Sequence, residues 1–184
     1  MEIKTYDNFI CEKLVYEKGG EKKRVKRHKS TNDLTRVGYL EMVNVPEIGD
    51  FVAKFDSGNG TVSSIMCDKY EVDGDYVNWE INGRKMRSKK FGKSVVRNRN
   101  EEERVSVLLD ISFNGEDYRI PFALVDRSKN YVKMLLNRLF MNTAHVMVDT
   151  SVTFLVTKKP KGYMRINKDA ENSKYNGIYF KKED

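Results

Sequence analysis

Two runs of alternating apolar residues, set back to back, limit most strongly what this chain can become. Val105, Val107, Leu109, Ile111 and Phe113 alternate without a break, and Tyr118, Ile120, Phe122 and Leu124 do the same after Asn114-Gly115. A period of two places every apolar side chain on one face of a strand. Asn-Gly between two such runs is the strongest short-range hairpin signal. A hairpin with one apolar face must bury that face against more sheet. The rest of the chain supplies it: Phe51, Ala53 and Phe55 alternate, as do Val146 and Val148, then Val152, Phe154 and Val156. Asp73-Gly74 and Asn82-Gly83 mark two further turns. Only Asn137 to Ala144 reads as helical. Short strands with regular turn signals predict an all-β domain, a closed barrel or a sandwich. Pro121 lies inside a strand run, which predicts a sheet edge or bulge there, since proline cannot donate to a ladder.

Charge divides the chain further. The 184 residues carry a net charge of +7. Residues 1–36 hold 10 Lys and Arg against 6 Asp and Glu, residues 157–184 hold 8 against 4, and the middle is close to neutral. This predicts a basic amino-terminal arm (1–36), a barrel domain (37–156) and a basic carboxyl-terminal tail (157–184). Lys22, Lys23, Arg24, Lys26, Arg27 and Lys29 follow two glycines and read as a mobile arm able to bind nucleic acid or an acidic protein surface. Aromatic residues are not interleaved with that cluster, which argues against base-specific RNA recognition. Cys11 and Cys67 are the only cysteines, too few for a disulfide framework. No apolar leader and no run of roughly 18 apolar residues is present, so no membrane role is expected. A cytoplasmic protein, or a virion component if phage-encoded, is the expectation.

Within the barrel segment, Phe51-Val-Ala-Lys-Phe-Asp-Ser-Gly-Asn-Gly60 carries an acid to the end of a strand and then turns. Alone, Asp56-Ser57-Gly58 reads as a surface turn, because these residues favour turns. Its neighbours give it company. Val37 to Gly49 reads as a first hairpin, Val96 to Arg104 is rich in arginine and glutamate, and the long hairpin spans Leu108 to Leu124. Val125-Asp-Arg127 and Met134-Leu-Leu-Asn-Arg-Leu-Phe140 follow. In this order the elements resemble the retropepsin-like aspartic peptidase fold, nearest its single-domain bacterial and phage branch labelled ATP-dependent zinc proteases.

The resemblance implies an all-β, retropepsin-like (acid protease) closed barrel with one short helix and basic terminal extensions. It implies Asp56 as catalytic acid/base, with Ser57 locking the loop by hydrogen bonding and Gly58 allowing close backbone approach and a conformation closed to larger residues. The chain has one such element. Asp149-Thr-Ser151 lacks the glycine and falls at an ordinary strand end. An active enzyme is therefore expected to be a homodimer cleaving a peptide substrate, with one Asp56 from each copy and a flap at Asp73-Gly74 or Asn82-Gly83. Asn59, Gly60 and Asn137 depart from the family pattern; Asn137 stands where the family has glycine, a place asparagine fills if the backbone turns left-handed. No cofactor is expected: His28 and His145 are isolated, the cysteines are not grouped, and no phosphate-binding glycine loop is present. The alternative reading is a non-catalytic structural or assembly protein on the same barrel, such as a phage head, neck or tail component tethered by its basic ends.

Overall fold

The structure, a computed structural model, describes residues 16–18, 21–23, 34–97, 101–161, 163 and 178–180. Two short strands open it, β1 (Tyr16–Lys18) and β2 (Glu21–Lys23). Then come β3 (Thr35–Gly38), β4 (Leu40–Val45), β5 (Gly49–Asp56) and β6 (Ser63–Met66). The middle holds β7 (Lys69–Asp73), β8 (Tyr76–Ile81), β9 (Arg84–Arg97), β10 (Glu101–Phe113) and β11 (Glu116–Val125). The chain continues through β12 (Met134–Asn137), the helix α1 (Arg138–Thr143), β13 (Val146–Asp149) and β14 (Ile178–Phe180).

Six of these strands close on themselves. β11 pairs β6 in parallel, β6 pairs β12 antiparallel, and β12 pairs β5 in parallel. β5 and β4 are antiparallel, β4 meets β10 at Ser112 and Asn44, and β10 returns to β11. The result is a closed mixed six-strand barrel, mostly strand with one short helix. β9, β8 and β7 extend the sheet outward from β10 and end it at β7.

The alternation seen in the sequence is the barrel's interior. Val105, Val107, Leu109, Ile111 and Phe113 are buried, and so are Tyr118, Ile120, Phe122 and Leu124. Asn114 and Gly115 both have positive φ, 51° and 79°, between paired Phe113 and Glu116. That backbone is the mirror-type turn that matches strand twist. Pro121 faces Leu108 in β10. On the other side of β11, β1 ends its pairing at Arg119 and β6 begins at Phe122. The proline thus sits in the gap between two partners, which is the edge its missing N–H requires. The expected helix is present, with Asn137 as its N-cap and Ala144 as its C-cap.

A second layer lies on the outer face of β4 and β5, where Leu40, Val52, Val132 and Tyr163 pack together. The segment after β13 runs alongside β4, with the Phe154 N–H on the Leu40 carbonyl and the Met42 N–H on the Thr157 hydroxyl, and is held by a buried acid. Glu41, fully buried, accepts from the N–H groups of Gly38 (2.7 Å), Leu155 (2.7 Å), Val156 (3.2 Å) and Thr157 (3.0 Å), and from the Thr157 hydroxyl. Five donors replace the lost water, which is what buried polar oxygens need. Gly38 is obligatory here: a Cβ on it would lie 2.9 Å from the Thr153 Cα.

The ends join the sheet where they are described. β1 pairs β11 and β2. β14 pairs β5, with Tyr179 opposite Asp50. Among those residues, no helix is long and apolar enough to cross a membrane.

Candidate functional site

β5 delivers Asp56. Its odd-numbered residues Phe51, Ala53 and Phe55 point into the main core, so Val52, Lys54 and Asp56 take the opposite face. Phe55 anchors the strand end in an aromatic cluster, with ring centroids 5.3 Å from Phe113 and 6.1 Å from Phe140. The acid therefore stands half-buried at the barrel's rim on a well-packed strand.

The chain around it has a particular topology. After Asp56 it loops out and returns as β6, but β6 does not pair β5. β12 lies between them, parallel to β5 and antiparallel to β6. Asn137, the last residue of β12, is in register with Asp56. The loop from residue 57 to 62 thus crosses the end of a third strand, and α1 starts directly beneath it.

Hydrogen bonds fix this loop. Asp56 Oδ1 accepts from the Gly58 N–H at 3.2 Å, and its carbonyl accepts from the Asn59 N–H at 3.1 Å. The Asn59 side chain donates to the Val62 carbonyl (3.0 Å) and accepts from the Thr61 N–H (3.0 Å) and hydroxyl (2.9 Å). Asn137, fully buried, donates to the Thr61 carbonyl (2.8 Å) and accepts from the Phe140 N–H (3.0 Å) and the Ser63 hydroxyl (3.2 Å). The Arg138 N–H reaches the Asn59 carbonyl at 2.9 Å.

Several sequence expectations change here. The Asn137 backbone has φ −84° and ψ 171°, an extended conformation open to any residue. It stands in place of the family glycine as a helix N-cap and loop latch, not as a substitute for left-handed backbone. Ser57 is exposed and makes no hydrogen bond among the described residues; the locking expected of its hydroxyl falls to Asn59 and Asn137. Gly58 is not among the positive-φ residues. A Cβ there would sit 3.4 Å from Asp56 Oδ1, an ordinary van der Waals contact, so neither the backbone nor the space at 58 demands glycine. At Gly60 a Cβ would come within 2.9 Å of an Arg138 guanidinium nitrogen, so Arg138 fills the space a side chain at 60 would take.

The flap expectation at Asn82-Gly83 also changes. That turn packs at the opposite end of β5 from Asp56, where Arg84 donates to the Ile48 carbonyl at 2.8 Å. β5 from Gly49 to Asp56 spans roughly 23 Å at strand rise, too far for this turn to cover the acid. Asp73-Gly74 closes the β7–β8 hairpin.

Two buried cations lie behind the site, Arg127 of the Val125-Asp-Arg127 turn and Lys133. Arg127 donates to the Val132 carbonyl (3.0 Å) and the Ser64 hydroxyl (3.2 Å). Burial, then the neighbouring Arg104 charge, presses its guanidinium down to about 10, while the Asp56 charge acts in the opposite direction. Lys133 is fully buried with its ammonium on the carbonyls of Arg127, Ser128 and Asn130, at 3.1, 3.1 and 2.5 Å. Burial and the Arg127 charge lower its pKa. The pair pins the loop from 126 to 133 that leads into β12. The signal in the sequence was the Val125-Asp-Arg127 turn itself, but charged residues are so rarely buried that nothing marked them as interior.

Of the other candidate residues, Lys22 and Lys23 lie in β2. Arg24, Lys26, Arg27 and Lys29, with His28 and Cys11, lie outside the described residues. Asp149 ends β13 and pairs Arg36 of β3, away from the Asp56 loop. Among the described residues no group of three or more His, Cys, Asp or Glu side chains is placed to hold a metal ion.

No family model and no curated protein matches the chain. Among solved structures it is similar to Lpg0085 from Legionella pneumophila subsp. pneumophila str. Philadelphia 1, a protein of unknown function labelled DUF785. The two are 20% identical with a TM-score of 0.58; the match covers 67% of this chain and 98% of the other. At that identity the likeness speaks for the fold alone, a mostly-β closed barrel of six mixed strands with one short helix.

Proposed function

We propose that this chain is one half of an aspartic peptidase, a homodimer in which Asp56 of each copy meets its twin across a two-fold axis. The observation that carries the reading is the placement of a single carboxylate at the end of β5, over the crossing with β12. Its Oδ1 is held by Gly58, and Oδ2 has no hydrogen bond among the described residues. Ser57 and Gly58 are exposed, which leaves room for a mate. Two carboxylates about 3 Å apart cannot both ionise, so the pair holds one proton. The ionised member takes a proton from water as that water attacks the peptide carbonyl. The protonated member hydrogen-bonds the carbonyl oxygen and stabilises the charge that forms there, and the proton taken from water passes to the nitrogen as the C–N bond breaks. The departures at Asn59, Gly60 and Asn137 support a loop that is held by other contacts rather than released.

The test is cleavage of a chemically unfolded protein by the full chain across acid to neutral pH. Asp56→Asn is expected to abolish cleavage while leaving the unfolding midpoint within experimental error. Cleavage that survives Asp56→Asn, or none by the native chain at any pH, would sink the enzymatic reading.

A second reading, a non-catalytic assembly protein on the same barrel such as a virion component, is favoured by one observation. The outermost strand β7 is exposed at every residue, an edge on which another chain can pair. For the basic arm, nucleic-acid binding that falls steeply with salt would support phosphate contacts; binding indifferent to salt would count against them.

A further inference from the structure

Among the described residues six large apolar side chains are exposed, and three of them belong to one hairpin: Tyr70, Val72 and Tyr76, each about two-fifths exposed (43%, 42% and 44%). Tyr70 faces Trp79 and Val72 faces Val77 across the β7–β8 ladder. Directly opposed residues share a face, and Trp79 and Val77 are buried in the main core. The apolar face of the sheet therefore runs out along β8 and stops, uncovered, at Tyr70 and Val72.

The backbone of β7 is equally unfinished. Asp73 and Tyr76 flank a two-residue turn, Gly74-Asp75, so they form the hydrogen-bonded pair that closes it. Pairs alternate from there. Glu71 and Asn78 exchange bonds, whereas Val72 and Tyr70 turn their N–H and C=O groups away from β8. Among the described residues β7 ends the sheet, so these four groups line its edge.

We propose that β7 pairs antiparallel with β7 of a second copy of this chain, joining two barrels through one continuous sheet. Only one register uses all four edge groups. It sets Tyr70 opposite Val72 of the copy, twice, about a two-fold axis through Glu71. The same register sets Lys69 opposite Asp73 of the copy, again twice. Charged edge residues normally keep edges apart, but here opposite signs meet, beside the ion pairs that Lys69 and Asp73 make with Glu80 and Arg87 of their own chain. The apolar face gains an aromatic–β-branched pair on each side of the axis, a favourable cross-strand pairing. The one unfavourable pair is Glu71 against its own copy. This interface is separate from the Asp56 loop and does not depend on its chemistry.

The test is the assembly mass of the full chain by sedimentation equilibrium. Val72→Pro removes an N–H that points only at the proposed partner, so the hairpin's own ladder is kept. It is expected to weaken self-association at least tenfold without lowering the unfolding midpoint measured at concentrations where both proteins are monomeric. Glu71→Gln is expected to tighten it. Asp73→Lys is expected to weaken it, and the double variant Lys69→Asp, Asp73→Lys to recover part of that loss, because opposite signs meet again across the axis while each swapped residue now faces a like charge, Glu80 or Arg87, in its own chain. A chain that stays monomeric overturns the proposal, as does an assembly unmoved by Val72→Pro. In that last case a dimer through Asp56 remains open, so the two ideas fail separately.

Discussion

Asn137 shows how much one side chain can decide. Read as a letter replacing a glycine it suggests a loosened loop, yet its amide joins three segments: the first turn of α1, the Thr61 carbonyl and the Ser63 hydroxyl. Removing it strips a helix cap and leaves buried polar groups without partners. Asn137→Ala is expected to destabilise the fold by about 2–3 kcal/mol, the sum of a lost cap and an unsatisfied buried carbonyl. Asn137→Asp keeps the cap's acceptor but turns a donor into an acceptor aimed at the Thr61 carbonyl. It should therefore protect the Phe140 amide from hydrogen exchange while leaving Thr61 and Val62 faster than in the native chain. Urea unfolding checks the first expectation and residue-resolved exchange the second. Asn137→Ala within 0.5 kcal/mol of native would remove the latch from the account. The cap itself was legible, since asparagine directly before a short apolar helical stretch is a capping signal. The bond to Thr61 was not, because 76 residues separate the partners.

At the level of elements, legibility followed range. The β10–β11 hairpin was readable because alternation and Asn-Gly agree within twenty residues. Barrel closure was not, since it rests on β12, four residues long, finding Ala53 through Asp56 from far along the chain, and on the single meeting of Ser112 with Asn44. The small parallel sheet of β3 and β13 was equally hidden, and a charge pair secures it. Asp149 accepts from the Ser151 hydroxyl (2.6 Å) and N–H (2.8 Å) and pairs with Arg36. The Ser151 bonds first, then Arg36, pull its carboxyl from 3.8 down to about 2. A depressed folded-state pKa contributes stability above the unfolded value that disappears as pH falls through the folded one. The native chain should therefore lose stability between about pH 4 and pH 2 more steeply than Asp149→Asn, and the two curves should converge toward pH 2. Thermal midpoints at half-unit pH steps measure this. Parallel curves over that window would show that the pair contributes nothing to the acid limb.

For the whole molecule the question is which surface finds another copy. The Asp56 proposal and the β7 proposal each require a two-fold axis, at different places, and together they would build assemblies larger than a dimer. Chemistry at residue 57 separates the first from everything else. Consecutive Cα atoms are about 3.8 Å apart, so two Asp56 carboxylates in contact bring both residues 57 close to the axis. Ser57→Cys, in a chain also carrying Cys11→Ser, should form a reducible cross-link between copies under mild oxidation, since a disulfide needs Cα atoms about 4.4–6.8 Å apart. The remaining cysteine does not compete: Cys67 is buried, and burial pushes its thiol up to about 12, leaving almost no thiolate at neutral pH. Glu47→Cys in the same background is the control, because Glu47 is exposed beside the first residues of β5, at the far end from the acid. A cross-link at 57 and none at 47 fits two acids brought face to face. Equal cross-linking at both positions reports collision, and none at either leaves Asp56 alone at its rim, a carboxylate with no twin to share a proton.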